Sequence, residues 1–413
     1  KMLKHKNPKT HHVECPERIS ETYKVLKDLG INDMCQLCNV RKATEDELKC
    51  SHSDEHIKKI LSVNGDGSFD YDTYHNKYSP DAACLAAGAC IDLMSNIVNG
   101  KCDNGFALVR PPGHHCEREF AMGFCLFNNV PVAINAVRKQ NKTNENLKIL
   151  IVDWDVHHGN GTQNMFYDDP NVLYFSTHRG YYFYPMTGKM GEVGGKIKKK
   201  KPQKGSRWTQ LLFGDTFDDA DDLVNKMESL EIKTDNNHLK PEGKNINVEL
   251  KAEYGGCEYL LIWKEILLPV AKEFKPDVVL ISAGFDACIG DPLGGMSIIP
   301  PCYGILTKLL MNICNNKVGI VLEGGYNLVT MPRAISYCMD ALLDKSDDIV
   351  KEFYKINEPK IEYFMDLLNA YEAHVSKRYN KKILNKWRTH SKSIENYLDV
   401  CNEILKLIKN DHD

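Results

Sequence analysis

The sequence predicts an α/β fold built on a central parallel sheet, and three observations support this. Short apolar, β-rich runs alternate with helical segments along the chain. The runs are continuously apolar, as strands covered on both faces are. Each run also ends in a cluster of polar residues, and functional sites form at the carboxyl edge of such sheets. We therefore expect one site, assembled from segments that lie far apart in sequence.

Two helices are predicted before the first strand. Residues 16–29 place apolar side chains three and four apart, between Pro16 as a start signal and Gly30 as a stop signal. Residues 82–97 carry a stripe of small, apolar side chains that predicts the second helix. Five strands are predicted at residues 105–109, 148–152, 171–175, 277–281 and 318–322.

A metal site is predicted where two of these strands end. Asp153, Asp155 and His157 occupy alternate positions, and alternate side chains of extended backbone point to the same side. Buried carboxylates without a partner are costly, and a divalent cation supplies that partner. Asp286 follows another strand and completes three protein ligands, Asp155, His157 and Asp286, with one open position, as at catalytic zinc. Alternatively, the Asp-x-Asp strand end only caps the next helix.

Catalytic side chains are predicted near this metal. A zinc ion with two carboxylate ligands is a weaker Lewis acid than one with three histidines, so water there needs a separate general base and an oxyanion donor. His114 and His115 follow a Pro-Pro-Gly turn, and different pKa values would divide acid and base roles between them. Tyr326 follows a diglycine turn and would donate to the oxyanion, although a core tyrosine is the alternative. His11-His12 is expected to be a surface pair.

The composition indicates a soluble globular protein of 413 residues, 42% hydrophobic and 26% charged. A formal net charge of -3 gives no basic field for nucleic acid. We find no apolar run of about 18 residues that would span a membrane, and the first residues lack the apolar stretch of a secretory signal. Fifteen cysteines show no disulfide spacing, and Cys35-x-x-Cys38 lacks the second pair of a zinc ribbon. We expect reduced thiols and a location in the cytoplasm, the nucleus or both.

We expect a single catalytic domain over residues 1–345, with a charged insertion at about 194–243 and a helical extension over 346–413. The insertion holds a lysine run at 196–201 and an acidic run at 215–222. A solvated surface insertion is the leading interpretation, and a nuclear-import or partner-docking patch is the alternative. Helical periodicity in the extension predicts packing against the domain.

Together these motifs resemble the zinc-dependent histone deacetylases, most closely class II and especially its class IIb, tubulin-deacetylase-like members. The matching blocks between about Met2 and Leu343 are His11-His12-x-x-Cys-Pro16-Glu-Arg18 and residues 110–115, 123–128, 153–162, 282–295 and 322–327. The resemblance implies the arginase/deacetylase fold and zinc-dependent removal of acetyl groups from lysine side chains. It also implies acetylated protein substrates such as histones or tubulin, hydroxamate-type inhibitors and regulatory complex partners, without direct nucleic-acid or membrane binding.

The resemblance assigns a role to each residue of the catalytic centre. The zinc ligands are Asp155, His157 and Asp286. By position, His115 is the general base for the attacking water and Tyr326 is the oxyanion donor. His114 is the partner imidazole, hydrogen-bonded to Asp153. Asn160 supports the base, at a position where class I relatives carry Asp and class II relatives carry Asn.

Further residues are assigned outside the catalytic centre by the same resemblance. Arg18 aligns with an arginine of the acetate-side cavity. The channel for the acetyl-lysine stem is lined by Gly123, Phe124 and Tyr184, with Leu293 near its rim. One structural potassium is held by Asp153, Asp155, His157, Ser176 and Thr177. A second would lie near Phe166, Asp169 and Val172.

Two departures from the family pattern concern the substrate. Tyr184 stands where relatives usually have Phe, so one channel wall gains a hydroxyl that narrows the channel or changes inhibitor preference. The segment around Gly67 occupies the region where relatives hold the substrate backbone, and the sequence leaves open which residue does so.

Three other functions compete with protein deacetylation. A weakly catalytic acetyl-lysine-binding scaffold, like class IIa members, would carry histidine in place of Tyr326. Acetylpolyamine deacetylases place an acidic gatekeeper in the segment that here reads Asp291-Pro292-Leu293-Gly294-Gly295, and Leu293 offers a cationic chain no partner. A nucleic-acid-associated factor would use the lysine run, which is weak support in a chain of this net charge.

Overall fold

The computed structural model describes residues 1–7, 11–140, 144–180, 182–195 and 244–343. Both charge runs of the predicted insertion, and the whole predicted extension at 346–413, lie outside the described residues. The predicted organisation of those two segments therefore stays a prediction.

A six-stranded sheet with all neighbouring strands parallel forms the centre of the described chain. Its order is β3-β8-β7-β4-β5-β6. The strands are β3 (Asn104–Ala107), β4 (Ile149–Asp153), β5 (Val172–Arg179), β6 (Asn245–Leu250), β7 (Val278–Ala283) and β8 (Val318–Leu322). A small antiparallel pair, β1 (Gly67–Ser68) and β2 (Tyr74–His75), precedes them. The predicted fold class, a central parallel sheet flanked by helices, is confirmed.

Helices connect the strands and cover the sheet. They are α1 (Glu17–Asp28), α2 (Glu45–Leu48), α3 (Asp54–Leu61), α4 (Ser79–Val98), α5 (Asn129–Gln140), α6 (Asn160–Phe166), α7 (Gly256–Ile262), α8 (Leu268–Phe274), α9 (Pro300–Met311) and α10 (Thr330–Leu342). A π-helical turn at Trp263–Leu267 joins α7 to α8.

The strands are continuously apolar because both faces of the sheet are buried. In β4, Leu150 and Val152 point into one hydrophobic core, which also holds Trp154. Ile149 and Ile151 point into a second core on the opposite face. Both sets of alternate residues in the strand are therefore buried. For this reason the sequence of the strand does not alternate between polar and apolar residues.

Two strands differ from the sequence prediction for the same reason. Strand β5 was predicted to end at residue 175 but runs on through three buried polar residues, Ser176, Thr177 and His178. Strand β6 was not predicted, and it alternates Asn245, Asn247 and Glu249 with apolar residues. In sequence, polar side chains inside a strand look like the end of a strand or a loop.

Helix α4 is unusually apolar along its whole length. It is long and apolar enough to cross a membrane by length and composition. Just over half of its most apolar stretch, 56%, is buried inside the fold, and its buried hydrophobic side chains contribute to the second core. It is therefore a core helix, and its small side chains permit close packing against α5.

Candidate active site

Three buried side chains converge at the carboxyl ends of β4 and β7. His157 Nδ1 lies 3.0 Å from Asp155 Oδ1 and 3.1 Å from Asp286 Oδ2. Ligands of a tetrahedral zinc at about 2.0 Å from the metal lie about 3.3 Å from one another. The three ligand atoms therefore already stand close to the separations that a shared cation requires.

Backbone N–H groups hold the two carboxylates in place. Gly324 N donates to Asp155 Oδ2 at 2.9 Å, and Val156 N donates to Asp286 Oδ1 at 2.8 Å. Burial and the neighbouring Asp155 raise the pKa of Asp286 to about 7. A divalent cation would relieve this repulsion between two fully buried carboxylates, so the donor set fits zinc.

The segment that carries these ligands is not the extended strand that the sequence suggested. Strand β4 ends at Asp153, and residues 155–157 form a bend. Asp153 and Asp155 still face the same neighbour, because His114 Nδ1 lies 3.2 Å from Asp153 Oδ2 and His114 Nε2 lies 3.7 Å from Asp155 Oδ2. The bend separates their roles, since only Asp155 joins His157 and Asp286.

Gly324 is required by the close approach of these carboxylates. A Cβ atom at this position would lie 2.3 Å from Asp286 Oδ2 and 2.6 Å from Asp155 Oδ2, closer than carbon and oxygen atoms pack. We expect Gly324→Ala to displace both carboxylates and to weaken zinc binding at least about tenfold. Zinc titration of the metal-free protein measures this effect.

Gly65→Ala is the matched control, because Gly65 is exposed and a Cβ atom there meets no atom within 4 Å. The control is expected to bind zinc as the parent chain does. Unchanged zinc affinity in Gly324→Ala would show that these carboxylates do not set the affinity.

The two adjacent imidazoles have opposite electrostatic surroundings. Burial disfavours a charged His114, but Asp155 and Asp153 outweigh burial and raise its pKa to about 10. Burial together with His114 and His157 lowers the pKa of His115 well below its usual value. His115 Nδ1 lies 2.9 Å from Asn160 Oδ1, and its ring stands edge-on to that of His157 at 5.8 Å. His115 is thus a neutral imidazole beside the ligand cluster.

Tyr326 faces the same pocket on the turn after β8. Its ring meets Phe124 edge to face at 5.8 Å, and its backbone N donates to Asp291 Oδ2 at 2.7 Å. The Arg18 guanidinium lies 5.0 Å from the ring centre, and Arg18 Nε donates to Gly325 O at 2.6 Å. Arg18 therefore contacts the turn that carries the tyrosine.

Arg18 belongs to a buried ion-pair network that extends to the first residues of the chain. Glu14 pairs with Arg18 at 3.1 Å and with Arg110 at 2.6 Å, and all three side chains are fully buried. Burial alone would raise the pKa of Glu14, but Arg110 and Arg18 lower it below its usual value. Arg110 Nη1 also donates to Met2 O at 2.6 Å and to the carbonyl of His5.

The predicted channel residues surround this pocket. The Tyr184 ring lies edge-on to His115 at 5.0 Å and is 40% exposed. Gly123 has a φ of +57°, and a Cβ there would lie 2.5 Å from the His115 ring and 2.9 Å from the Tyr184 hydroxyl oxygen. The Tyr184 hydroxyl therefore lies in the pocket wall beside His115. Leu293 is half-buried on the segment that follows Asp286.

His12 is not the surface residue that the sequence suggested. Its ring packs edge-on against Phe124 at 4.8 Å, and its Nε2 pairs with Asp72 at 3.0 Å. Of the pair, only His11 is exposed.

The residues predicted to hold potassium also lie together. Asp153 pairs with Ser176 across β4 and β5, next to Thr177. In the second group, Asp169 N donates to Phe166 O at 3.0 Å and Val172 N donates to Asp169 O at 3.4 Å. The Asp169 carboxylate is already paired with a cationic side chain, because Arg138 Nη1 lies 2.6 Å away. Both potassium sites stay predictions.

The sequence model of the histone deacetylase domain matches residues 12–342, most of the chain. The chain belongs to the histone deacetylase family. It is 39% identical to histone deacetylase 18 of Arabidopsis thaliana, over 83% of this chain and 46% of that protein. It is 35% identical to a polyamine deacetylase of Danio rerio, over 80% of this chain and 44% of that protein. The chain thus spans about half the length of these curated relatives.

A solved structure agrees with this assignment. The crystal structure of the HDA15 HD domain matches with a TM-score of 0.70 and 37% identity, over 83% of this chain and 86% of that one. The family prediction and the arginase/deacetylase fold are confirmed. The similarities support class II and do not single out class IIb.

The histone deacetylase domain holds a second group of potential ligands that the sequence analysis missed. His52, His56 and Cys116 are buried together. Most of their polar atoms form hydrogen bonds within the core: His52 Nε2 accepts from Asn128 N at 2.9 Å and His56 Nε2 lies 2.8 Å from Leu126 O, whereas His56 Nδ1 is buried without a partner. Burial lowers the pKa of His52 to about 3 and that of His56 to about 4, so both rings are neutral. The group is a largely hydrogen-bonded part of the core beside the loop that carries His114 and His115.

Proposed function

We propose that this chain is a zinc-dependent deacetylase that hydrolyses Nε-acetyl-lysine side chains of proteins. The observation that carries the proposal is one pocket in which Asp155, His157 and Asp286 lie beside a neutral His115 and a phenol, Tyr326. Three ligands with an open position, a base and an oxyanion donor are the parts that amide hydrolysis needs.

Bound zinc would polarise the acetyl carbonyl and lower the pKa of the attacking water. The side chains of this chain perform the proton transfers. His115 takes the water proton at Nε2, because its Nδ1 is engaged by Asn160. As the C–O bond forms, Tyr326 donates to the oxyanion. His115 then gives the proton to the leaving nitrogen, the C–N bond breaks, and acetic acid and a free lysine amine form, which leave as acetate and lysine ammonium once the acid's proton has passed to the amine.

The rim of the channel favours an acetyl-lysine peptide over an acetylated polyamine. Leu293 stands where an acidic gatekeeper would bind a cationic chain. The nearby Asp291 does not replace that gatekeeper, because its Oδ1 accepts from Leu293 N and Gly294 N and its Oδ2 accepts from Tyr326 N. Its carboxylate is committed to the backbone.

A side-by-side turnover assay of an acetyl-lysine peptide and an acetylated spermidine tests this choice. We expect faster peptide turnover by the parent chain. Leu293→Glu is expected to shift the ratio toward the polyamine by about fivefold, the range of an exposed ion pair. Faster polyamine turnover by the parent chain would overturn the substrate proposed here.

We further propose that hydroxamates bind the zinc site, that potassium occupies the Asp153 and Asp169 regions, and that the protein acts in the cytoplasm, the nucleus or both. Regulatory complex partners are proposed from the family resemblance alone. The expected lack of direct nucleic-acid and membrane binding also stays a prediction.

A further inference from the structure

The proposed general base, His115, is hydrogen-bonded to the side-chain amide of Asn160. This amide has an oxygen that accepts hydrogen bonds and an NH₂ group that donates them. For His115 Nε2 to accept a proton, the ring must carry its hydrogen on Nδ1. Nδ1 then donates to Asn160 Oδ1, 2.9 Å away. If the amide were turned over, its NH₂ group would face Nδ1, and the hydrogen would move to Nε2. The orientation of one amide therefore decides whether His115 is able to act as a base.

Glu117 selects the productive orientation of this amide. Asn160 Nδ2 donates to Glu117 Oε1 at 2.6 Å and to His115 O at 3.2 Å. Both of these neighbours are acceptors, so turning the amide would place oxygen against oxygen at both contacts and would deprive His115 O of its Asn160 donor. A buried acceptor that loses its donor destabilises the fold, so the turned-over amide is disfavoured.

Glu117 is buried and is held in place by further hydrogen bonds. It is 4% exposed, and a second amide, Asn164 Nδ2, donates to the same oxygen at 2.9 Å. Its backbone N donates to Phe120 O at 3.0 Å, which closes the loop that carries His115. Its neighbours Arg118 and Glu119 are exposed, so the burial of Glu117 is specific to this position.

We propose that Glu117 is a positioning residue, which orients the Asn160 amide and thereby keeps His115 in the tautomer that acts as a base. The inference rests on the proposed hydrolase function for its kinetic consequence, but the tautomer itself does not depend on the reaction. Burial raises the pKa of Glu117 to about 7. Oε1 can accept from the two amides in both the ionised and the protonated form, so the orientation holds across neutral pH.

The first test observes the tautomer directly. In ¹⁵N-histidine-labelled, metal-free protein, ¹⁵N shifts distinguish Nδ1–H from Nε2–H imidazoles, and His115→Gln identifies the resonance. We expect the Nδ1–H tautomer in the parent chain and a mixture in Glu117→Gln, because two amides are able to turn over together. A pure Nδ1–H tautomer in Glu117→Gln would overturn the proposal.

The second test is kinetic. Glu117→Gln is expected to lower kcat about tenfold, a part of the 10²- to 10⁴-fold that a general base contributes, with KM changed less than about twofold. Glu119→Gln, an exposed change in the same loop, is the matched control and is expected to leave kcat unchanged. A loss that appears in KM rather than in kcat would contradict a role acting through the base.

Rescue separates positioning from a merely structural role. In the double variant Glu117→Gln/Asn160→Asp, the Gln amide donates to one Asp oxygen and the other Asp oxygen accepts from His115 Nδ1, although the first oxygen then also faces His115 O. We expect this variant to recover the Nδ1–H tautomer and to bring kcat within about threefold of the parent value. If neither the tautomer nor kcat recovers, the result contradicts the proposal.

Thermal stability is a separate control that shows whether the Glu117→Gln variant folds. The raised pKa of Glu117 means that its ionised form costs stability as pH rises from about 4.5 through about 7, so neutral Gln is expected to leave the Tm at pH 8 unchanged or higher. If the parent chain turns over no acetylated amine, the proposed function fails, whereas the tautomer test still decides the role of Glu117.

Discussion

Asp286→Asn is expected to bind zinc more than about 100-fold more weakly than the parent chain and to lose its deacetylase activity. The carboxylate supplies charge that an amide of the same shape lacks. The amide oxygen is still able to accept from Val156 N, which Asp286 Oδ1 now does at 2.8 Å. The fold should therefore survive while the cation site fails.

The measurements are zinc content after dialysis against metal buffer and turnover of an acetyl-lysine peptide. Asp277→Asn is the matched control, because Asp277 is exposed just before β7, at the far end of the strand that leads to Asp286. We expect the control to retain zinc and activity. In the parent chain, a chelator should remove activity and added zinc should restore it. Full zinc content in Asp286→Asn would contradict the assigned ligand set.

Tyr326→Phe is expected to lower kcat by about 10²- to 10³-fold, the range found when one oxyanion donor is removed. The ring should keep its place, because the ring of Phe is able to make the same contact with Phe124 and to lie under the Arg18 guanidinium. Only the hydroxyl is lost, so KM and zinc content should change little. This pattern would identify the phenol as a group that acts in the transition state.

Steady-state kinetics on the acetyl-lysine peptide, with zinc content measured in parallel, check this expectation. Tyr23→Phe provides the matched change at an exposed tyrosine on α1 and should leave kcat unchanged. Parent-like turnover by Tyr326→Phe would remove the tyrosine from the mechanism and would favour a zinc site that works without a phenol donor.

Prediction from the sequence was successful where the type of a residue alone indicates its role. Asp155, His157 and Asp286 are metal-ligating types at the ends of apolar strands, and the structure brings them together as expected. The parallel sheet was predictable because burial on both faces leaves continuous apolar runs. Strand β8 was predicted to the residue, since Val318–Leu322 has a charged residue on either side.

Prediction from the sequence was wrong or incomplete where burial, rather than residue type, decides the role of a side chain. Ser176 and His178 look like a strand end but lie inside β5, where they pair with β6 and a buried hydrogen bond of 2.8 Å joins their side chains. Glu117 stands among polar loop residues, and no pattern marks it as the one that is buried. The same holds for His12, whose contact with Phe124 joins two distant segments. Such roles depend on tertiary contacts that local patterns do not contain.

The buried Glu14 network links residues 2 and 5 to the pocket that holds Tyr326. Met2 and His5 accept from Arg110, Arg110 pairs with Glu14, and Glu14 pairs with the arginine beneath Tyr326. Expression boundaries should therefore be chosen upstream of residue 2, with any affinity tag at the amino terminus separated by a linker. A domain trimmed to residue 19 would lose Glu14 and Arg18, and with them the support of its tyrosine turn.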